Sequence, residues 1–438
     1  MATKRKSSSG ATNKKLPLNQ SIPLGIQHVF AMFAGNITVP LIVAGVFGVT
    51  TEEKIFLIQM ALFAAGVATI IQTVGYKNIG SRLPIIQGTS FAFIPIMLPF
   101  KAFGLGAIFT AAFIGGIFQI WIGKMLKPIR HMFPPLVTGI VVLMIGISLL
   151  KVGFKYAGGG VWLMNNKPEI FANWEHLTIA GTVLIVALLT NLKGKGMVSA
   201  ASILIGIIAG FIVAAMLGEV RWGKIAAAGW FAFPMPLQYG IDFVWGAVIL
   251  MLFMSIVTTI ETIGDISATT MGGANREATD KELSGGIMAD GVGTAFASIF
   301  NAMPNTSYSQ NAGLVAFTGV ISRHVGTVAG IILILLGLFP KLGGIIAAMP
   351  DSVIGGAAII MFGLIAGAGI KLISKTEMNQ RNILILALSL SFGIGLYAFP
   401  EFVAHIPDFG IKLKLLLTTG LIPAGLLAFI LNATLPKK

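Results

Sequence analysis

The sequence predicts an all-α polytopic membrane protein of about fourteen transmembrane segments, built as a 7+7 inverted repeat. Three observations point there. Hydrophobic residues make up 55% of the 438 positions and charged residues 11%, with a mean hydropathy of +0.89. A soluble chain is about a quarter charged, so this one lacks the polar side chains to cover a globule in water. Apolar segments recur along the whole length, and two of them, half a chain apart, are interrupted in the same way. A free cytosolic enzyme, a secreted domain and a disordered chain are thereby excluded. With no cysteine, so are disulfides, thiolate metal sites and a cysteine nucleophile.

Residues 1–19 are rich in Ser and Lys without an acid and read as a disordered, basic cytoplasmic tail. The apolar run from Ile22 to Val49 is too long for a signal-peptide core and has no small-residue cleavage site after it, so it reads as the first crossing. The expected crossings are 22–46, 55–75, 85–99, 103–123, 134–152, 176–191, 198–217, 243–263, 285–300, 309–320, 324–339, 352–370, 381–399 and 413–432. Several fall short of the ~20 residues a full helical span needs. Residues 20–217 form the first repeat, 218–242 an outer loop, 243–432 the second repeat and 433–438 a cytoplasmic C-terminal tail.

An even number of crossings puts both termini on one side. Twenty of the 30 Lys and Arg then fall on that side, the cytoplasmic one, among them Lys4, Arg5, Lys6, Lys124, Lys127, Arg130, Lys437 and Lys438. The net charge of +14 is explained by this bias and implies no nucleic acid. Trp162, Trp174, Trp222, Trp230 and Trp245 fall in or beside outer loops, where interfacial rings are stable.

The third segment opens with Pro84, an extended stretch and then Gly88, Thr89 and Ser90; the tenth opens with Pro304 and then Asn305, Thr306, Ser307, Tyr308, Ser309, Gln310 and Asn311. Lipid cannot satisfy the backbone of such stretches, so they belong inside protein or beside a watery cavity. Each is the third segment of its half, and an odd number of spans per half inverts the second. Paired half-helices, each preceded by a short strand, are the sequence mark of a transporter's midplane site.

Few acids lie within spans. Glu261 shares a helical stripe with Thr258, Thr262 and Asp265, at i, i+3, i+4, i+7 spacing. A carboxyl there faces a cavity or a partner, as a proton carrier, a ligand for an N–H group, or a bond between helices. Asp290 sits in a small-residue helix and reads either as a tie to the broken helices or as part of proton handling. Asp265 lies near the inner edge, in a cap or site role, and His28 in the first span reads as a helix-to-helix hydrogen bond or a proton relay. Gln310 and Asn311 offer amides whose paired donor and acceptor suit a nucleobase edge, or serve as helix contacts. Phe91 either packs or stacks on a planar ligand. No Walker A, HExxH or nucleophile-elbow motif is present, which leaves an ion gradient or the substrate itself as the energy source.

Gln310-Asn311-Ala312-Gly313-Leu314-Val315-Ala316-Phe317-Thr318-Gly319 resembles the signature of the nucleobase–ascorbate transporter (nucleobase:cation symporter-2) family, an acidic or amide residue, Asn, Gly two on and Thr five further. Gln27-His28, Gln87-Gly88-Thr89-Ser90-Phe91, Glu261-Thr262-Ile263-Gly264-Asp265 and Pro304-Asn305-Thr306 extend the likeness from about residue 20 to the C-terminus.

The resemblance implies core and gate domains with the substrate between the two half-helices. It places the principal base ligand on Glu261 and the signature's first position on Gln310, with Asn311, Phe91 and the Ser309 backbone in the pocket. Asp290, His28 and Asp265 take coupling or structural roles. Gln at 310 and Asp at 265 resemble the xanthine and uric acid permease branch; Ala312, where purine carriers often have Asn, departs from it. The implied activity is import of a purine nucleobase by proton symport, with Na⁺ the lesser candidate, by a homodimer in the cell membrane. No enzyme activity, cofactor or metal is implied. The alternatives are a uracil or other nucleobase symporter, an anion carrier of sulfate or bicarbonate on the same architecture, and an uncoupled channel or scaffold.

Overall fold

A computed structural model describes residues 12–125, 134–407 and 413–436. Most of the chain is helix. The first half contains α1 (Leu18–Phe47), α2 (Thr51–Val74), strand β1 (Gln87–Thr89) and α3 (Ile94–Met97, flanked by 3-10 turns Phe91–Phe93 and Leu98–Phe103). It continues with α4 (Gly104–Lys124), α5 (Pro135–Ala157), α6 (Trp174–Lys193) and α7 (Ser202–Met216). The second half contains α8 (Trp245–Ala274), α9 (Asp280–Ile299), strand β2 (Asn305–Ser307), α10 (Ser309–Thr318) and α11 (Arg323–Gly337). It ends with α12 (Asp351–Ile373), α13 (Gln380–Ala398) and α14 (Leu421–Thr434).

Local sequence sets the ends. Thr50 and Glu53 form a reciprocal capping box at α2, and Thr279 and Glu282 do the same at α9. Glu282 also receives a two-pronged salt bridge from Arg276, which closes the α8–α9 turn. Gly48, at φ +71°, ends α1 in the left-handed conformation a glycine adopts at least cost.

Among the described residues, eight helical stretches are long and apolar enough to cross a membrane, or nine when α11 and the short helix Pro340–Ala348, bent by 76°, count as one broken span. Helices α7 and α14 are apolar but shorter, at 15 and 14 residues. Thus the helical membrane architecture is present, while the count of fourteen full crossings rests on the sequence. Several boundaries differ from expectation, and three of the differences bear on the reading. Helix α8 runs to Ala274, eleven residues past the expected end at 263. The polar stripe lowers the hydropathy there without breaking the helix, because Thr258, Thr262 and Thr270 bond back to carbonyls one turn earlier. Asp265 therefore lies in the helix interior and is buried; it is neither a cap nor a loop residue. The last segment is split at Gly420 (φ +69°) into a short helix, Leu413–Thr418, and α14. Helix α1 starts at Leu18, so the expected tail is helical in its last two residues. Its basic residues Lys4, Arg5 and Lys6, like Lys127, Arg130, Lys437 and Lys438, lie outside the described residues.

Packing sorts the helices into two bundles, α1–α4 with α8–α11 and α5–α7 with α12–α14. The principal pairs recur with a shift of seven: α4 on α9 mirrors α11 on α2, α6 on α7 mirrors α13 on α14, and α5 on α12 maps onto itself. Lys14, preceding α1, takes a hydrogen bond from Ser322 before α11, so both lie at the same end of the molecule.

Candidate functional site

The two interrupted segments meet inside the first bundle. Strands β1 and β2 pair antiparallel, with Gln87 opposite Ser307, Gly88 opposite Thr306 and Thr89 opposite Asn305. Tyr308 N–H to Ile86 O (3.0 Å) and Ser90 N–H to Pro304 O (2.9 Å) extend the pairing. The flanking helices complete the bonding symmetrically. Thr69 of α2 accepts the Gln87 N–H at 3.0 Å, and Thr294 of α9 accepts the Asn305 N–H at 3.1 Å. Backbone that lipid would leave unpaired is thus satisfied by protein.

Helix α1 holds the other side of β1. Pro40 has no N–H, which leaves the Asn36 carbonyl without its helical partner. The Thr89 hydroxyl donates to that carbonyl at 2.8 Å, and the Asn36 side-chain oxygen accepts the Thr89 N–H at 2.8 Å. Tyr308 donates its hydroxyl to Thr89 O at 2.7 Å. A side chain at Gly88 would come within 2.6 Å of Asn36 Oδ1 and 2.9 Å of the Tyr308 ring, so only glycine fits there. Beyond the strands, the Ser90 hydroxyl caps the first half-helix at Ala92 N–H, and α10 begins at Ser309.

The candidate residues divide by what they touch. Asp265 accepts from the hydroxyls of Ser307 (2.6 Å) and Ser309 (2.7 Å), which clamps β2 and the start of α10 onto α8. Asp290 accepts from Gln87 Nε2 and the Thr262 hydroxyl, tying α9 to β1 and α8. Asn311 Nδ2 donates to His28 O at 2.9 Å and lies 3.0 Å from His28 Nδ1. Since the carbonyl can only accept, the amide nitrogen must face it; Nδ1 is then an acceptor and the neutral His28 ring carries its proton on Nε2. Phe91 meets Phe362 of α12 edge to face, with centroids 5.6 Å apart, and so touches the second bundle.

Glu261 and Gln310 stand apart. Both are exposed, and neither side chain has a protein hydrogen bond or ion pair among the described residues. The carboxyls of Glu261, Asp265 and Asp290 are close enough to interact electrostatically, and Glu261 also acts on the Tyr308 hydroxyl. One turn from each, Gly264 and Gly313 face open space, as do Gly363 and Gly367 of α12. Glu261 and Gln310 thus sit beside helix surface that no other part of the protein covers. Among the described residues no three His, Asp or Glu gather as metal ligands would.

Of the residues that build this frame, Asn36, Thr69 and Thr294 are not singled out by the sequence, and Gln87 and Tyr308 stand there only as members of a motif and a polar run, without this role. The Asn36-to-Pro40 spacing and the glycines that receive Tyr308, Gly35 and Gly88, are the signals that could have found them.

The sequence profile of the Permease family matches residues 19–402. The chain belongs to the nucleobase–ascorbate transporter family. It is 39% identical to a putative purine permease of Clostridium perfringens over 96% of this chain and 92% of that one. To the xanthine permease XanP of Escherichia coli it is 35% identical, over 96% and 93% of the two chains. To the uric acid permease PucJ of Bacillus subtilis it is also 35% identical, over 93% and 91%. This family member is accordingly a multi-pass membrane transporter and not an enzyme. Solved structures share its fold: the transmembrane domain of the cyanobacterial bicarbonate transporter BicA aligns with a TM-score of 0.58 at 15% identity, covering 96% of this chain and all of that one. The murine anion transporter Slc26a9, in its inward-facing state, aligns with a TM-score of 0.63 at 12% identity, covering 95% and 72%.

Proposed function

We propose that this permease imports an oxidised purine, xanthine or uric acid, with a proton, by alternating access around the paired half-helices. One observation carries the reading. Of the three carboxyls in the middle of the first bundle, only Glu261 has no protein partner, and it is exposed. An unpaired carboxyl at membrane depth is costly unless it has a ligand or a proton to hold.

In the proposed complex Glu261 accepts ring N–H groups, and the Gln310 amide supplies a donor and an acceptor to the same edge. Phe91 packs on the flat face, with Asn311 and the Ser309 backbone behind the contact. Asp265, Asp290 and His28 are engaged by protein and act as positioning groups, leaving Glu261 as the proton carrier. The first bundle is the moving core and the second the gate, and the seven-helix shift in their packing supports an inverted repeat. Cytoplasmic termini follow from the basic bias, and a dimer through the gate follows from the family resemblance.

The test has two arms. Purified protein is melted with a panel of nucleobases; xanthine or urate should stabilise it in proportion to concentration over the dissociation constant. Glu261→Gln should abolish accumulation while reaching the membrane at normal level; full uptake by that variant removes Glu261 from the mechanism. The shared fold of BicA and Slc26a9 favours one rival, an anion carrier, because half-helix N-termini suit anions. A fixed carboxylate at Glu261 opposes it. Competition of labelled xanthine uptake by uracil, urate, sulfate and bicarbonate separates the classes.

A further inference from the structure

A cavity of about 370 Å³ lies away from the strands, where α4 and α8 of the first bundle face α5 and α14 of the second. That is within the range of small-molecule pockets, about 300–1,000 Å³. Its walls are carbon: Phe118 and Trp121 of α4, Val141 of α5, Phe253 and Ile260 of α8, and Leu426 of α14. Thr138 is the one hydroxyl in the lining, and it is already engaged with Pro134 O at 3.3 Å. A purine, with polar atoms round its whole edge, would leave every one of them unpaired here. Trp121 and Leu426 are exposed at the rim, so the cavity opens sideways, toward lipid.

The end of the cavity nearest Trp121 is basic. Lys124, exposed, lies one turn beyond Trp121 at the C-terminus of α4. Arg381 of α13 donates to Asn432 O (2.7 Å) and Leu435 O (3.2 Å) at the end of α14, one turn past the lining residue Phe429.

We propose that this cavity holds an acyl chain of an anionic glycerophospholipid, with the phosphate at the Lys124 end. Hydrocarbon fills the space between the two bundles, and a neighbouring basic rim selects a negative headgroup. A lipid seated there touches both bundles at once, so its occupancy would depend on how they are set relative to one another.

Trp121 reports on the site directly. A variant that keeps Trp121 and replaces the other five tryptophans with Phe is purified in non-ionic detergent and titrated with phospholipid brominated on its acyl chains. Brominated phosphatidylglycerol should quench Trp121 saturably, at a several-fold lower mole fraction than brominated phosphatidylcholine. Lys124→Gln should reduce that preference about five-fold, since one basic side chain near an anionic surface contributes about that factor. Val141→Phe, which fills the cavity, should weaken quenching by both lipids. The protein with all its tryptophans gives a second reading: phosphatidylglycerol should raise its melting temperature more than phosphatidylcholine does, and Val141→Phe should remove the difference. Equal quenching by the two lipids, or quenching untouched by Val141→Phe, would mean ordinary contact with surrounding lipid and overturns the proposal.

Discussion

Asp265 shows how a site carboxyl can be structural. It binds two serine hydroxyls, one from β2 and one from the first residue of α10, so its loss frees both elements at once. Hydrogen bonds to a charged acceptor contribute about 1.5–3 kcal/mol in soluble proteins, and interhelical bonds in membranes average about 0.6. Asp265→Ala should therefore lower stability by about 1–3 kcal/mol in thermal melts, and Ser307→Ala by less; an unshifted Asp265→Ala melt would refute the clamp. Lys224, in the stretch between α7 and α8, gives a pH signature. Burial, with Lys54 and Arg221 nearby, lowers its pKa from 10.5 to about 8. The folded state thus holds this proton less tightly than the unfolded state. The cost is complete below pH 8 and is relieved as pH rises toward 10.5, so Lys224→Gln should flatten the rise in stability across that window. The sequence brought forward Glu261, Asp265 and Asp290 alike as in-span acids, though it gave them different roles, because a carboxyl in an apolar run is conspicuous whatever it does. Which of them is free depends on Gln87, Thr262, Ser307 and Ser309, three of which lie on other elements, and periodicity carries no such information.

The interrupted segments were legible because Pro84 and Pro304 each lead a polar run that lipid cannot solvate. Their antiparallel pairing was not, since each strand is three residues long and its partner lies in the other half of the chain. The α5–α12 contact also escaped notice. Gly139, Gly146 and Gly153, seven apart on α5, face α12 in antiparallel order. A Cβ on Gly146 would approach Ala366 N to 2.5 Å, whereas one on Gly153 would first meet the flexible Ile359 Cγ1 at 3.2 Å. Small residues let helix backbones approach closely, and in membranes packing is a main source of association. Gly146→Ala should cost about 1–3 kcal/mol by overpacking and Gly153→Ala less; melts of the two proteins in detergent rank them, and the reverse order would contradict the contact.

At the scale of the molecule, the two ends are closed to different degrees. At the end away from Lys14, Lys54 of α2 reaches Asp351 of α12 at 3.9 Å, Tyr156 of α5 donates to Ile42 O of α1 at 2.8 Å, and Lys224 donates to Ala347 O at 3.3 Å. The first two of these contacts join the two bundles. Toward the opposite end, past the middle of the bundle, Gly313 and Phe317 are exposed, as are Glu261 and Gln310 in the middle. In the proposed alternating-access cycle the two inter-bundle contacts would part in one of its states. Because the chain has no cysteine, single substitutions can be read without a background. Gly313→Cys should react with a membrane-impermeant maleimide from the side of Lys14, and Glu169→Cys, in the α5–α6 loop, from the other. A saturating purine should slow labelling at Gly313→Cys at least several-fold while leaving Glu169→Cys unchanged. Equal labelling of Gly313→Cys from both sides would indicate a continuous pore, and the carrier reading would then give way to a channel.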